Sequence, residues 1–193
     1  IVGRAGELQE LQQSLEADTR ILVVTGPGGM GKSRIAVTAL DAYQERNSGV
    51  AVLSLLPATS LSDNAFDELP HAPAVLFIDD AHERPEAVAQ LFQYAVRNAG
   101  TRLVLTVRRA GSTAIWDALA RAGISATNVL NLELQPLTST AAMELVEALA
   151  TDMDFELLYG AKLAIAKLAE EAPYLGVLAL DALRRRTLSG GFA

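Results

Sequence analysis

The sequence has no cysteine, which excludes disulfides and thiolate metal sites and is compatible with a reducing compartment. It also lacks a basic excess: 16 Lys and Arg stand against 23 Asp and Glu, a net charge of −7. A dominant nucleic-acid-binding surface needs clustered cations to neutralise phosphates, so nucleic acid is not indicated as a partner. The basic clusters are Arg108-Arg109 and Arg184-Arg185-Arg186, and a short run of the second kind reads by default as a solvated helix end. No apolar run approaches the roughly 20 residues of a membrane span. No secretory leader is visible, so a cytoplasmic location with no membrane partner is expected. Internal repeats and low-complexity tracts are missing too. The chain opens at Ile1 without a methionine and is expected to be a piece of a longer protein.

What is present is a chain of 193 residues, half of them apolar, enough to bury one α/β domain with a helical appendage. Leu8, Leu11 and Leu15 fall at helical spacing among Glu and Gln. Arg20 to Thr25 then reads as a strand buried on both faces of a parallel sheet. Ile35, Ala36, Ala39, Leu40 and Tyr43 mark a helix from Lys32 to Gln44. Further strands are expected at Val50 to Leu55, Ala74 to Ile78, Arg102 to Val107 and Val129 to Leu134, with helices from Pro85 to about Asn98 and from Thr113 to Ala122. The segment from Ala58 to Pro73, with its Pro, Ser, Asp and Asn, reads as irregular. This alternation predicts an α/β three-layer fold with about five parallel strands. Beyond Pro136 only helical patterns remain, at Ser139 to Ala150, Ala161 to Glu171 and Leu175 to Leu188. The expected boundary lies near Leu137, giving a sheet domain over 1–137 and a helical subdomain over 138–193.

The chemistry begins at Gly26-Pro27-Gly28-Gly29-Met30-Gly31-Lys32-Ser33, which satisfies GxxxxGKS with a buried strand before it and a helix after it. Glycines let successive main-chain N–H groups and the positive end of the helix approach an anion closely. Lys32 is placed to reach the β and γ phosphates of a nucleoside triphosphate, and the Ser33 hydroxyl to ligate Mg²⁺. The competing reading is a Gly-rich turn with an accidental Lys, which the strand and helix context disfavours.

Val75-Leu76-Phe77-Ile78-Asp79-Asp80 delivers two carboxylates to the C-terminal end of a strand, where ligands bind in open α/β sheets. Asp79 fits the Walker B position for Mg²⁺, and Asp80 is the candidate to orient or deprotonate the attacking water. Against this, Asp often ends a strand by capping the next helix. His82 reads as a polar surface residue rather than a ligand. Arg108 ends the neighbouring strand, where a cation can pair with the γ phosphate; Arg109 is the alternative, and a surface cation is the bland reading.

Several of these segments together resemble STAND NTPases, the class of NB-ARC and NACHT switch proteins, and related AAA+ modules. Ile1-Val2-Gly3-Arg4-Ala5-Gly6-Glu7 is similar to the hhGRxxE motif, and the resemblance implies that Val2 and Arg4 lie on the adenine and ribose side. Leu103 to Arg108 resembles the strand ending in the family's γ-phosphate-sensing Arg. Leu134-Gln135-Pro136-Leu137-Thr138, followed by Glu144-Leu145, resembles the LxPLs segment that leads into the helical subdomain. Glu171 to Val177 occupies the place of the GxP motif, with Pro173 toward the adenine, although Ala172 and Tyr174 depart from the pattern. Pro173 also reads as a first-turn helix proline.

The resemblance implies a module that binds ATP or ADP with Mg²⁺ and hydrolyses slowly. It further implies a nucleotide-dependent switch for self-association in the ATP state, with sensor and effector domains outside this segment. A bacterial defence or regulatory protein is the expected setting. The alternatives are an AAA+ motor or loader, for which Arg184 to Arg186 offers the second sensing Arg, and a small-molecule kinase, for which no acceptor pocket is readable. The guanine-reading NKxD motif is missing, which disfavours a GTP switch.

Overall fold

A computed structural model describes residues 1–17, 19–56, 66 and 73–188. The described chain divides into two compact units: Gly6–Gly26 with Lys32–Leu134, and Ile1–Ala5 with Pro27–Gly31 and the residues from Gln135 onward.

The first unit is a five-stranded sheet in which every neighbouring pair is parallel, ordered β2-β3-β4-β1-β5. Its strands are β1 (Ile21–Gly26), β2 (Ala51–Ser54), β3 (Ala74–Ile78), β4 (Thr101–Arg108) and β5 (Val129–Glu133). β1 and β3 are buried at every position, because a crossover parallel sheet is covered on both faces. The edge strands β2 and β5 are more exposed and correspondingly more polar at their ends. Helices α1 (Ala5–Glu16), α2 (Lys32–Arg46), α3 (Pro85–Arg97) and α4 (Ser112–Arg121) complete the layers.

On one face Ile21, Val23, Ile78, Leu103 and Leu105 form a continuous core with Val88, Leu91 and Phe92 of α3 and Ile115 and Leu119 of α4. Period-2 alternation sends Leu22, Val24, Val75 and Val104 the other way. There α2, which touches β1 and β4, buries Ile35, Ala36, Ala39, Leu40 and Tyr43. Each fully buried Leu, Ile or Phe contributes roughly 1.5–3 kcal/mol of transfer free energy, so this two-faced core holds the strand ends where they are.

The sequence expectation of an α/β sheet with about five parallel strands is met, and the element bounds differ by a few residues. β4 runs on through Arg108, and the last helix starts at Pro173. The irregular stretch expected from Ala58 to Pro73 lies outside the described residues except at Phe66 and Pro73. Phe66 stacks on Tyr94 with centroids 5.2 Å apart.

The second unit contains α5 (Ser139–Asp152), α6 (Tyr159–Glu171) and α7 (Pro173–Leu188). Thr138 caps α5 by accepting the Ala141 N–H on its hydroxyl at 3.2 Å, satisfying a donor the helix leaves open. Its core joins Leu137, Ala142, Val146, Ile165, Ala166, Ala169 and Leu180. The small residues let α6 and α7 approach closely: a Cβ placed on Gly176 would lie 2.8 Å from the Ala169 Cβ. No helix among the described residues is long and apolar enough to cross a membrane.

Candidate functional site

In the sheet unit, β3, β4 and β1 are adjacent, so their C-terminal ends bring together Asp79 and Asp80, Arg108, and the approach to α2 with Lys32 and Ser33. Gly26 and Arg108 are register partners across β1 and β4. Sequence order alone would leave these residues far apart.

Asp79 receives two hydroxyls on one carboxylate oxygen. Ser33 Oγ donates to Asp79 Oδ1 at 2.6 Å, and Thr106 Oγ1 donates to the same oxygen at 2.5 Å. Thr106 Oγ1 in turn accepts the Asp80 main-chain N–H at 2.8 Å. One fully buried threonine on β4 therefore ties both acidic residues of the neighbouring strand end. Arg84 adds a third hold: its guanidinium donates to the Asp79 carbonyl at 2.9 Å and to the Leu55 and Leu56 carbonyls at 3.3 and 2.8 Å.

Asp80 sits in the left-handed region, φ 45 and ψ 48, a conformation Asp tolerates at a cost of about 1–2 kcal/mol. It precedes the 3₁₀ turn Ala81–Glu83, yet its side chain makes no capping bond there, so the helix-capping reading of this residue does not hold. Its carboxylate instead faces Arg108 Nε at 3.6 Å and His82 Nδ1 at 3.9 Å. Arg109 pairs with Glu133 on β5, which leaves Arg108 as the arginine beside Asp80.

Lys32 is only 6 % exposed. Burial pushes its ammonium below the usual lysine range; Asp80 opposes this, Arg108 reinforces it, and Asp79 opposes it.

The donor set fits Mg²⁺. A hydroxyl and a carboxylate oxygen, both hard ligands, already lie 2.6 Å apart. Among the described residues no group of three or more His, Cys, Asp or Glu could hold a metal ion.

In the second unit, Gly29 and Gly31 have φ of 77 and 86, which L side chains rarely adopt. A Cβ at Gly29 would also stand 3.3 Å from the Tyr174 Cβ. The Gly29 carbonyl accepts the Tyr174 N–H at 3.1 Å, one of the donors the α7 N-terminus leaves open. Met30 and Arg4 are buried, Val2 is half-buried, and Pro27 and Gly28 are exposed. Pro173 is the first residue of α7, where its missing N–H costs nothing.

Thr106, Arg84 and the role of His82 escaped the sequence reading. Thr106 had a signal, a lone hydroxyl inside an apolar strand. Arg84 had none, because its partners are main-chain carbonyls.

No protein-family model matches the chain, and no curated protein matches it in sequence. Solved structures match in shape. The Thermotoga maritima RuvB Holliday junction branch migration motor superposes with a TM-score of 0.70 at 22 % identity, over 98 % of this chain and 64 % of that one. Its P216G mutant gives 0.73 at 23 %, over 98 % and 66 %. Domain III of the Thermotoga maritima replication initiation protein DnaA gives 0.73 at 14 %, over 99 % and 87 %. The chain thus spans about two thirds of the RuvB chains, and its likeness to them and to DnaA domain III is one of fold: the five-stranded parallel P-loop α/β sheet with helices after it.

Proposed function

We propose that the chain is a Mg²⁺-dependent ATP-binding and hydrolysing module of the AAA+ type. The observation that carries this is the Ser33 hydroxyl set against the Asp79 carboxylate at 2.6 Å, beside buried Lys32 and the Asp80–Arg108 pair. In this reading main-chain N–H groups of the Gly26 to Ser33 loop hold the phosphates and Lys32 meets the β and γ oxygens. Ser33 and Asp79 would hold Mg²⁺, whose charge would offset that of the triphosphate. Asp80 orients or deprotonates the attacking water, and Arg108 contacts the γ phosphate. Residues 1–137 would form the nucleotide-binding domain and 138–193 the helical subdomain, with Val2, Arg4 and Pro173 on the adenine side.

The fold likeness to the RuvB motor and the DnaA initiator favours a working AAA+ ATPase. The net charge of −7 gives no support for carrying over the nucleic-acid partners those names imply. A second reading, a slow ATP/ADP switch of the STAND class that self-associates when loaded with ATP, rests on the hhGRxxE, LxPLs and GxP resemblances. Calorimetric titration with ADP and ATP, with and without Mg²⁺, tests the shared core. Lys32→Ala and Asp79→Ala should abolish binding and Mg²⁺-dependent hydrolysis respectively, and undiminished values in both would sink the assignment. Turnover then separates the readings: many cycles per second indicate a motor, whereas a single retained ADP indicates a switch.

A further inference from the structure

We propose that His82 is a positioning residue that holds the strand end of Arg108 and thereby sets the Arg108 side chain against the Asp80 carboxylate for the terminal phosphate. The proposal rests on the reading of Asp80 and Arg108 given above. His82 lies on the 3₁₀ turn immediately after Asp80, where a histidine with only a surface role would be solvated; its side chain is 14 % exposed. Its Nδ1 accepts the Arg108 main-chain N–H in a long bond of 3.5 Å. The same nitrogen stands 3.9 Å from Asp80 Oδ1, the oxygen that Arg108 Nε approaches at 3.6 Å. An acceptor Nδ1 has no proton to give Asp80, so the ring acts on the strand end from which Arg108 departs and reaches the carboxylate only through the Arg108 side chain that faces it.

Two further features show that the ring is held. Asp80 occupies a left-handed conformation without a capping bond of its own side chain, so the direction of its carboxylate is left to the groups around it. The imidazole also packs on bare backbone: a Cβ added to Gly111 would lie 2.4 Å from the His82 Cβ and 2.7 Å from its Cγ. Those atoms are at the root of the side chain and cannot swing aside, so Gly111 provides the space that fixes the ring. An acceptor Nδ1 places the ring proton on Nε2, which defines the tautomer the arrangement requires.

The test is steady-state ATP hydrolysis, with ADP affinity measured separately, on the wild-type chain and on His82→Ala, His82→Asn, His82→Gln and Gly111→Ala. His82→Ala should lower kcat roughly 10- to 100-fold, the scale of a misplaced catalytic group, while KM and the ADP dissociation constant stay within about twofold. His82→Asn, whose amide oxygen falls near the Nδ1 position, should restore kcat to within about threefold of wild type, and His82→Gln, whose oxygen falls near Nε2, should not. Gly111→Ala should copy His82→Ala and add little to it in the double variant, because both act through one ring. A His82→Ala kcat within about twofold of wild type would overturn the proposal. So would a loss of kcat and ADP affinity together with no recovery in His82→Asn, the mark of a purely structural role. Failure of the site reading itself would show differently, as unaltered nucleotide binding in Lys32→Ala.

Discussion

Thr106 donates to one carboxylate and accepts from the main chain of the next residue, so a single hydroxyl holds the Asp79 carboxylate and the Asp80 backbone. Thr106→Val keeps the shape and removes both bonds, leaving the half-buried Asp80 N–H without its acceptor. We expect a loss of about 1–3 kcal/mol in urea-induced unfolding, together with a fall in Mg²⁺-dependent turnover. Lys32 shows the opposite balance between stability and function. Its ammonium titrates below its unfolded value of about 10.4 because it is buried. Between the two values the unfolded chain holds the extra proton, so stability rises with pH across that window and the penalty is complete below it. Lys32→Met should therefore stabilise the nucleotide-free chain at neutral pH while abolishing nucleotide binding, and the gain should shrink as the pH approaches the ordinary lysine range. Denaturant unfolding at several pH values reads both the gain and its decline. The residues found from sequence are those whose chemistry is concentrated in a local pattern, such as Gly26 to Ser33 and Asp79-Asp80. Thr106, Arg84 and His82 act through partners brought by other strands, and a local pattern does not carry that.

Among the elements, the helix and strand periods were strong enough to locate every described strand and α-helix to within a few residues. The differences have physical causes. Pro173 begins α7 because a first-turn position needs no N–H, and β4 extends to Arg108 because register pairing with β1 continues to Gly26. The close approach of α6 and α7 was not visible, since Gly176 looks like a helix-weakening residue until Ala169 is seen against it. Gly176→Ala gains about 1 kcal/mol of helix propensity. It also drives a methyl to 2.8 Å from the Ala169 Cβ, an overpacking cost of about 1–3 kcal/mol. The expected net result is a loss of roughly 1 kcal/mol in denaturant unfolding, relieved when Ala169→Gly restores the space.

For the whole molecule, alternating strands and helices foretold a parallel sheet but could not give the order β2-β3-β4-β1-β5, because several right-handed crossover orders satisfy the same alternation. Yet that order makes the site: with β1 beside β4 and β4 beside β3, the ends carrying Ser33, Asp79 and Arg108 become neighbours. Binding at such a site acts on the folding equilibrium by mass action. ADP with Mg²⁺ at 100 times its dissociation constant should add about 2.7 kcal/mol to stability if the unfolded chain binds none. For a chain of this length each kcal/mol moves the midpoint by about 2–4 °C, so thermal melts should shift upward by roughly 5–11 °C. Asp79→Ala should retain a shift with nucleotide alone but lose the increment due to Mg²⁺, and Lys32→Ala should show no shift at all. Equal shifts in wild type and Lys32→Ala would mean that the nucleotide binds away from the Gly26 to Ser33 loop.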